Sequence, residues 1–338
     1  MTDLADGSAP RRARRGTAPT IYDVARAAGV NPSTVSRALS RPERVSTATA
    51  QRIREAAAEL EFHLNPTARA LQTGRTNTLA LMIGDITNPV VFDIIRGATA
   101  EAAQHGCTLI VTDSEESSTR EAADARRLIP AVDGLILAIT RLADEQIHDL
   151  ARRKPLVVVN RDVGDRAASV LADLDPGIGA AVEHLAELGH RRLAYVPGPV
   201  VSWISGQRFL AIERACARLG LDCEAVGPRR PTREGGAAAL DEVLATGASA
   251  VLGYNDMMML GLLEAAASRG VRVPEQLSVV GFDDIFGADF ASPPLATVRM
   301  PLALAGRRAV RMVLGHERAG APLPTEFVPR PSAGPVAA

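Results

Sequence analysis

The spacing of hydrophobic residues changes character near residue 78. Before that point, apolar residues recur three and four positions apart over short stretches, which is typical of small helices. The predicted helices lie at about 21–28, 32–39, 47–60 and 66–71. Pro32 and Pro66 each follow an asparagine that can cap a helix, and Gly29 interrupts the first pair. Residues 20–40 therefore have the pattern of a helix-turn-helix.

Beyond residue 78, short apolar runs alternate with amphipathic stretches of helical period. The runs predict buried strands at 79–83, 108–111, 134–138, 156–159, 193–196, 250–252 and 277–280. Helices are predicted between them, for example at 89–105, 176–188, 205–219, 235–245 and 256–269. This alternation indicates parallel sheets covered by helices on both faces, and the number of strands favours two lobes. Because ligands bind at the carboxyl ends of such strands, we expect a ligand cleft between the lobes.

The charge of the chain is unevenly distributed. The formal net charge is −1, but residues 1–75 hold twelve arginines and seven acidic residues, so this segment carries +5 and the remainder −6. A basic N-terminal part on an acidic body indicates a polyanion-binding module joined to a different domain. Residues 1–19 are rich in Gly, Ala, Pro, Ser and Arg and lack apolar periodicity, so we expect a disordered basic arm.

The sequence disfavours several classes of protein. It contains no run of 18 apolar residues, and residues 1–20 lack the apolar core of a secretory signal, so we expect a cytoplasmic protein and no membrane partner. Cys107, Cys216 and Cys223 are too few and too scattered to suggest a disulfide framework or a metal site. We find no catalytic Ser/His/Asp or Cys/His grouping and no G-x-G-x-x-G after a strand, and we expect neither catalysis nor a cofactor.

The second predicted helix carries the residues that are best placed to bind DNA. Ser33, Thr34 and Arg37 lie in its N-terminal part, which enters the major groove when a helix-turn-helix binds. An arginine can donate to the O6 and N7 atoms of guanine, which discriminates against other bases by about 1–3 kcal/mol. A three-helix packing module without a DNA role is the alternative, and the basic charge of this segment disfavours it.

The segment IYDVARAAGVNPSTVSRAL, residues 21–39, resembles the N-terminal signature of the LacI/GalR family of bacterial transcription regulators. Further matching stretches follow in the family's order, at 65–75, 85–89, 133–136, 183–192, 255–256 and 279–284. The resemblance covers residues 20 to about 330. It implies a homodimeric repressor that binds a pseudo-palindromic DNA operator and acts on the nucleoid. It also implies that a small-molecule effector, bound between two lobes, controls the operator affinity.

The resemblance implies DNA contacts by position. In the family, a hinge helix at 64–75 would place Leu71 as a wedge between base pairs in the minor groove. Leu71 and Tyr22 could instead be packing residues, and Leu64 and Pro66 depart from the family's usual Pro and Ala. The predicted DNA-binding residues are Thr20, Tyr22, Ser33, Thr34, Ser36, Arg37, Arg44, Asn65, Arg69 and Leu71.

The resemblance also implies an effector pocket like that of the two-lobed periplasmic sugar-binding proteins. A guanidinium and a carboxylate together donate to and accept from hydroxyl groups, which suits a sugar-like effector. The alternative role for Arg208, Asn255 and Asp283 is a salt bridge or a helix cap at the lobe interface. The predicted effector-binding residues are Asp85, Phe92, Asn160, Trp203, Arg208, Asn255 and Asp283.

The predicted fold is an all-α helix-turn-helix head with a hinge helix, joined to an α/β two-lobed body with parallel sheets, similar to periplasmic binding proteins. The predicted boundaries are 1–19 for the arm, 20–63 for the head, 64–75 for the hinge helix and linker, 76–332 for the body and 333–338 for a tail. Within the body, the first lobe is assigned about 76–161 with 290–322, and the second 162–289 with 323–332.

Three alternatives to this interpretation remain. A solute-binding protein without a DNA role conflicts with the basic head, and a Rossmann-type enzyme conflicts with the missing phosphate loop. A regulator that responds to a purine or another metabolite is disfavoured because Val90 and Val91 stand where the family commonly has aromatic residues.

Overall fold

The computed structural model describes residues 19–40, 44–62 and 74–336. The chain divides into two compact units, residues 1–74 and 75–338, close to the predicted end of the linker. The predicted arm and hinge helix, with Asn65, Arg69 and Leu71, lie outside the described residues apart from their last one or two positions.

The first unit is helical, as the sequence predicts. It contains α1 (Ile21–Ala27), α2 (Pro32–Ser40) and α3 (Thr47–Glu59). Their apolar faces meet in a small core that includes Val24 and Val35. At this size a single core supplies limited stability, so the caps at the helix starts matter.

Polar caps hold the starts of α1 and α3. The backbone N–H and the hydroxyl of Thr20 both donate to the Asp23 carboxylate, at 2.9 and 2.7 Å. The Ser46 hydroxyl accepts from the Thr49 N–H at 3.3 Å. Each cap orients the chain as it enters its helix.

The first lobe of the second unit is built on a five-stranded parallel sheet in the order β2-β1-β3-β4-β5. Its strands are β1 (Thr78–Ile83), β2 (Thr108–Asp113), β3 (Gly134–Ala138), β4 (Leu156–Val159) and β5 (Ala168–Val170). The helices α4 (Val90–Gln104), α5 (Ser118–Leu128) and α6 (Asp144–Ala151) connect successive strands. β3 and β4 are buried at every position, which explains their continuous apolar sequences.

The second lobe begins with β6 (Ala172–Asp173), α7 (Asp175–Glu187), β7 (Arg192–Val196), α8 (Trp203–Leu219) and β8 (Asp222–Ala225). It continues with α9 (Arg233–Ala237), α10 (Leu240–Ala245), β9 (Ala250–Gly253), α11 (Asp256–Ser268), β10 (Ser278–Asp283) and β11 (Ala296–Arg299). The chain then forms α12 (Leu302–Val313), β12 (Leu323–Pro324) and β13 (Glu326–Val328). The six-stranded sheet has the order β13-β11-β10-β9-β7-β8, and only the pairing of β13 with β11 is antiparallel among its described strands.

The predicted lobe boundaries are wrong in two places. β5 lies beyond the predicted end of the first lobe at 161, yet it pairs with β4. β11 was assigned to the first lobe within 290–322, yet it pairs with β10 and β13 in the second. α12 does pack against α4 of the first lobe. Strand partners far apart in sequence decide these boundaries, and local pattern does not contain that information.

Two further predictions need correction. The predicted helix at 235–245 is two short helices, α9 and α10, separated at residues 238–239. Gly236 of α9 lies against the backbone of Met258, where a larger residue would not fit. The predicted tail at 333–338 is packed into the second lobe as far as Val336. The Gly334 carbonyl accepts from the Ser278 hydroxyl at 3.1 Å, and its N–H donates back at 3.0 Å. No helix in the described ranges is long and apolar enough to cross a membrane.

Candidate functional site

The outer face of α2 presents the predicted DNA-reading residues. Ser33 and Arg37 are exposed, whereas Thr34 and Ser36 are half-buried. The Arg37 Nε donates to the Ser33 carbonyl oxygen one turn earlier, at 3.2 Å, so the guanidinium lies along the exposed side of the helix. An arginine on this exposed side can contact a base edge directly.

The remaining described DNA candidates are also at the surface. Tyr22 is 67% exposed, which disfavours the packing role that the sequence left open. Thr20 and Arg44 are exposed too. The two Thr20 hydrogen bonds lower the pKa of Asp23, which keeps its carboxylate ionised at the N-terminus of α1.

A cleft opens between the two lobes of the body, at the carboxyl ends of their strands. From the first lobe it is lined by Asn88, Val90, Glu116, Ile139, Thr140, Arg141, Val159, Asn160 and Arg161. From the second lobe it is lined by Ser202, Trp203, Ile204, Arg208, Pro231, Tyr254, Asn255 and Asp283. This is the position that the β-α-β pattern predicts for a ligand.

Asp85 and Phe92, both predicted to bind the effector, do not line this cleft. The Asp85 carboxylate folds back to accept from the N–H and the hydroxyl of Thr87, at 2.8 and 2.6 Å. Phe92 is 45% exposed and borders a neighbouring hollow with Asp93 and Arg299. The turn after β1 and the rotation of α4 direct these two side chains away from the cleft.

The wall formed by the second lobe contains a buried ion pair. Arg208 of α8 donates through Nη2 to the Asp283 Oδ1 at 2.7 Å and through Nη1 to the Tyr254 carbonyl oxygen. The guanidinium carbon lies 4.5 Å from the centroid of the Phe282 ring. Burial raises the pKa of Asp283, and the Arg208 charge opposes that rise. Both predicted effector residues therefore meet at the end of β10, where they form the salt bridge that the sequence left open as their alternative role, and both side chains are almost fully enclosed.

Two neighbouring side chains at the N-terminus of α11 support this wall. The Asn255 Oδ1 accepts from the Met258 N–H at 3.0 Å, so Asn255 caps α11 while it borders the cleft. Asp256 is fully buried and accepts from the Thr297 hydroxyl at 2.6 Å and from the Ile285 N–H at 2.9 Å. Burial raises the pKa of Asp256 well above its ordinary value, and Asp283 adds to the rise.

Paired charges also form the wall of the first lobe. The Arg141 Nε donates to Glu116 at 2.5 Å. Arg161 donates to Asp144 at 2.5 Å and to the Leu142 carbonyl oxygen at 2.7 Å. Glu116, Arg141 and Arg161 are not among the residues predicted from the sequence. The signal available for them was their position two or three residues after the ends of β2, β3 and β4, where polar side chains converge.

The strand ends around the cleft share an unusual backbone conformation. Glu116, Ile139, Asn160 and Asp283 have φ angles of 59°, 61°, 60° and 105°. Asparagine and aspartate tolerate positive φ, whereas a β-branched isoleucine does so at a cost. The sharp turns set by these angles bring one side chain from each strand end to the cleft.

A three-helix unit of helix-turn-helix geometry, followed by a two-lobed α/β body with a polar cleft, defines a DNA-binding regulator with an effector domain. The family model described as "Bacterial regulatory proteins, lacI family" matches residues 20–65. The model described as "Periplasmic binding protein-like domain" matches residues 182–333.

The chain is similar to known regulators along most of its length. It is 32% identical over 308 residues to the HTH-type transcriptional repressor CytR of Escherichia coli (strain K12), covering 89% of this chain and 90% of that protein. The chain belongs to the lacI family of bacterial regulatory proteins, and it is a DNA-binding transcriptional repressor with an effector-binding body.

Solved structures support the same assignment. The structure of the Lac repressor dimer bound to operator and the anti-inducer ONPF has a TM-score of 0.82 at 26% identity, covering 94% of this chain and all of that one. The complex of the transcriptional regulator CelR with cellobiose has a TM-score of 0.68 at 28% identity, covering 93% of this chain and 99% of that one.

Proposed function

We propose that the protein acts as a homodimer that binds a pseudo-palindromic operator, one half-site for each α2, and that a neutral sugar-like effector in the cleft changes the operator affinity. The exposed face of α2 with Arg37 supports the DNA role. The Lac repressor relative is a dimer on its operator, and two-fold symmetry in the protein matches two half-sites in DNA. Such a regulator acts in the cytoplasm, on the nucleoid.

In this proposal, operator contacts come from Thr20, Tyr22, Ser33, Thr34, Ser36, Arg37 and Arg44, with Asn65, Arg69 and Leu71 of the linker. Arg37 supplies base discrimination, since its guanidinium is the group suited to bidentate pairing with guanine. The other members supply phosphate and groove contacts that fix the register of α2 on the duplex.

The charge balance of the cleft is the observation that supports a neutral effector. Each of the arginines lining it, Arg141, Arg161 and Arg208, already pairs with a carboxylate. An anionic ligand would have to displace one of those carboxylates, whereas a neutral polyhydroxyl ligand can donate to the carboxylates and accept from the guanidinium groups. Among the described residues, the buried Nε of Arg208 has no acceptor, and a ligand oxygen could supply one.

The remaining cleft residues fit a sugar. Trp203 is half-buried at the start of α8 and can pack against the apolar face of a pyranose ring. Asn160 and Asn255 each offer an amide that donates and accepts. The complex of CelR with cellobiose shows that a relative of this fold holds a neutral sugar.

The DNA-binding half of the proposal is tested by selecting duplexes from a random-sequence library with the wild-type protein. We expect a pseudo-palindromic site, and Arg37→Ala should weaken its binding by about 1–3 kcal/mol and relax one position of the site. Arg54→Ala removes the same charge from α3 and should affect all sequences alike. Undiminished sequence selectivity in Arg37→Ala would contradict the assignment of α2 as the reading helix.

The effector half is tested by thermal-shift measurements with neutral sugars, sugar phosphates and nucleosides. We expect a neutral sugar to raise the melting temperature of the wild type and to lose that effect on Asp283→Asn. Asp149→Asn, at a half-buried surface ion pair on α6, should respond as the wild type does. The largest shift from a sugar phosphate or a nucleoside, or an equal shift in Asp283→Asn, would refute the proposed effector class or its site.

A further inference from the structure

The chain is clamped where it enters the body. The Asp133 carboxylate accepts three hydrogen bonds from two consecutive residues. Thr76 donates its N–H and its hydroxyl to Oδ1, at 2.7 and 2.9 Å, and Asn77 donates its N–H to Oδ2 at 2.8 Å. The Asp133 N–H donates in turn to the Thr78 carbonyl oxygen at 2.7 Å. Bonds to an ionised acceptor are among the stronger protein hydrogen bonds.

The position of this clamp sets it apart from an ordinary turn. The two units divide between Gly74 and Arg75, so Thr76 and Asn77 are the second and third residues of the body. Asn77 has a φ of 49°, which directs the chain sharply into β1. Any path from the head into the body passes through these residues, and Asp133 fixes their backbone from a site 57 positions later.

The clamp is anchored to a part of the lobe that has little freedom. Asp133 leads directly into β3, which lies between β1 and β4 in the sheet. A Cβ added at Gly134 would lie 2.5 Å from the Val313 side chain and 3.2 Å from the Pro155 carbonyl oxygen, so the chain here is closely packed. The carboxylate therefore holds Thr76 and Asn77 against the N-terminal end of a central strand.

We propose that Asp133 is a positioning residue for operator binding, because it fixes the path of the chain at the junction of the DNA-binding unit and the body. The proposal rests on the proposed function, since it requires the two heads of a dimer to bind one duplex. When the point at which the linker enters the body is fixed, less conformational entropy is lost as both heads bind one duplex. Without the clamp, the chain at this junction has to become ordered as the protein binds DNA, and the entropy lost then lowers the operator affinity.

Charge and position predict opposite results at this residue. Asp133→Asn removes a negative charge from an acidic body, and by electrostatics alone this change would strengthen binding to a polyanion. The clamp predicts weaker binding, since an asparagine replaces one acceptor oxygen with an amide that faces an N–H donor. The sign of the change in DNA affinity therefore separates the two explanations.

The experiment measures binding of the full-length protein to the duplex that the wild type selects, together with the melting temperature of each variant. We expect about tenfold weaker binding for Asp133→Asn and a smaller loss for Thr76→Val. The variant Thr76→Ser keeps both hydrogen-bond donors at this position and should bind with wild-type affinity. Asp124→Asn removes an equal charge from α5, where Asp124 is half-buried and pairs with Arg127, and it should leave the affinity unchanged.

Three outcomes would overturn the proposal. Unchanged or tighter binding by Asp133→Asn would show that the clamp does not position the head. A loss of affinity in both Asp133→Asn and Thr76→Ser, matched by equal falls in melting temperature, would assign the site a general stabilising role. If the wild type selects no duplex at all, the proposed function fails and this proposal fails with it. If the wild type binds and Asp133→Asn binds equally well, only the role of the clamp is refuted.

Discussion

Asp256 shows how one buried carboxylate can tie stability to pH. It is fully buried, it accepts from Thr297 and Ile285, and it lies near the Asp283 carboxylate without a cation of its own among the described partners. Its pKa is raised mainly by burial. The protonated form is therefore favoured more in the folded state than in the unfolded chain, where the value is about 3.8.

From this shift we predict the pH dependence of the variant Asp256→Asn. A raised folded-state pKa contributes stability that is present below the unfolded value and is lost as pH rises through the folded value. The neutral amide removes that dependence, since it can donate to the Thr297 hydroxyl and accept from the Ile285 N–H. The unfolding free energy of the wild type relative to Asp256→Asn should fall as pH rises, by at most about 1.4 kcal/mol per unit.

Denaturant titrations of both proteins between pH 5 and pH 8 check this prediction, with Asp149→Asn, at a surface ion pair, as the control. Parallel pH profiles for the wild type and Asp256→Asn would show that the carboxyl does not titrate differently in the folded and unfolded states.

Individual site residues were only partly predictable from the sequence. Arg208 and Asp283 were identified, but their direct pairing joins residues 75 positions apart, and chain order alone does not specify that contact. Asp85 and Phe92 were placed in the cleft because their segment borders it, whereas turn geometry and helix rotation decide where each side chain points. The role of a residue therefore depends on its burial and on its hydrogen-bond partners, which residue type and sequence position alone do not specify.

At the scale of elements, α4 and α12 pack closely against each other across two glycines. A Cβ at Gly97 would lie 2.0 Å from the Ala303 carbonyl oxygen, and one at Gly306 would lie 2.3 Å from the Ile94 carbonyl oxygen. Each glycine therefore lets one helix approach the backbone of the other, at a distance that larger residues would prevent.

This packing predicts opposite effects for two glycine substitutions. Gly97→Ala should destabilise the protein by about 1–3 kcal/mol, because the added methyl group overlaps backbone that cannot move aside cheaply. Gly206→Ala, in α8, meets nothing within 4 Å and should stabilise by about 0.5–1 kcal/mol through helix propensity. Thermal and urea unfolding measure both, and a stabilised Gly97→Ala would mean that the two helices separate easily.

Elements with strong local signals were predictable, and weakly patterned ones were not. β3 and β4 have the predicted bounds because continuous apolar runs mark strands buried on both faces. β8 is a mostly exposed edge strand, and β12 has two residues, so neither has a clear period. The partner of β11 follows from pairing across the sheet, which a window of sequence does not include.

At the scale of the whole molecule, the C-terminal segment completes the second lobe. Arg330 donates to Asp284 at 2.6 Å, and the Ser332 hydroxyl donates to the Val279 carbonyl oxygen at 2.6 Å. His190 contacts the Gly334 carbonyl oxygen at 3.0 Å. The segment therefore ties β10 to α7 and the loop that follows it.

We predict that truncation after residue 329 destabilises the body, because it leaves buried groups of β10 without partners, at about 1–3 kcal/mol for each group. Truncation after residue 336 removes none of the described contacts and is the matched control. Calorimetry of the two proteins measures the difference. Equal melting temperatures would show that the segment is dispensable to the fold.

Neither lobe is a continuous stretch of chain, and this interleaving sets an order of events during synthesis. The head can fold as soon as α3 leaves the ribosome, since its core uses only local residues. The first lobe lacks α12, and the second lacks β11 and β13, until translation is almost finished. A nascent or prematurely terminated chain would therefore carry a folded DNA-binding head on an unfinished effector-binding body.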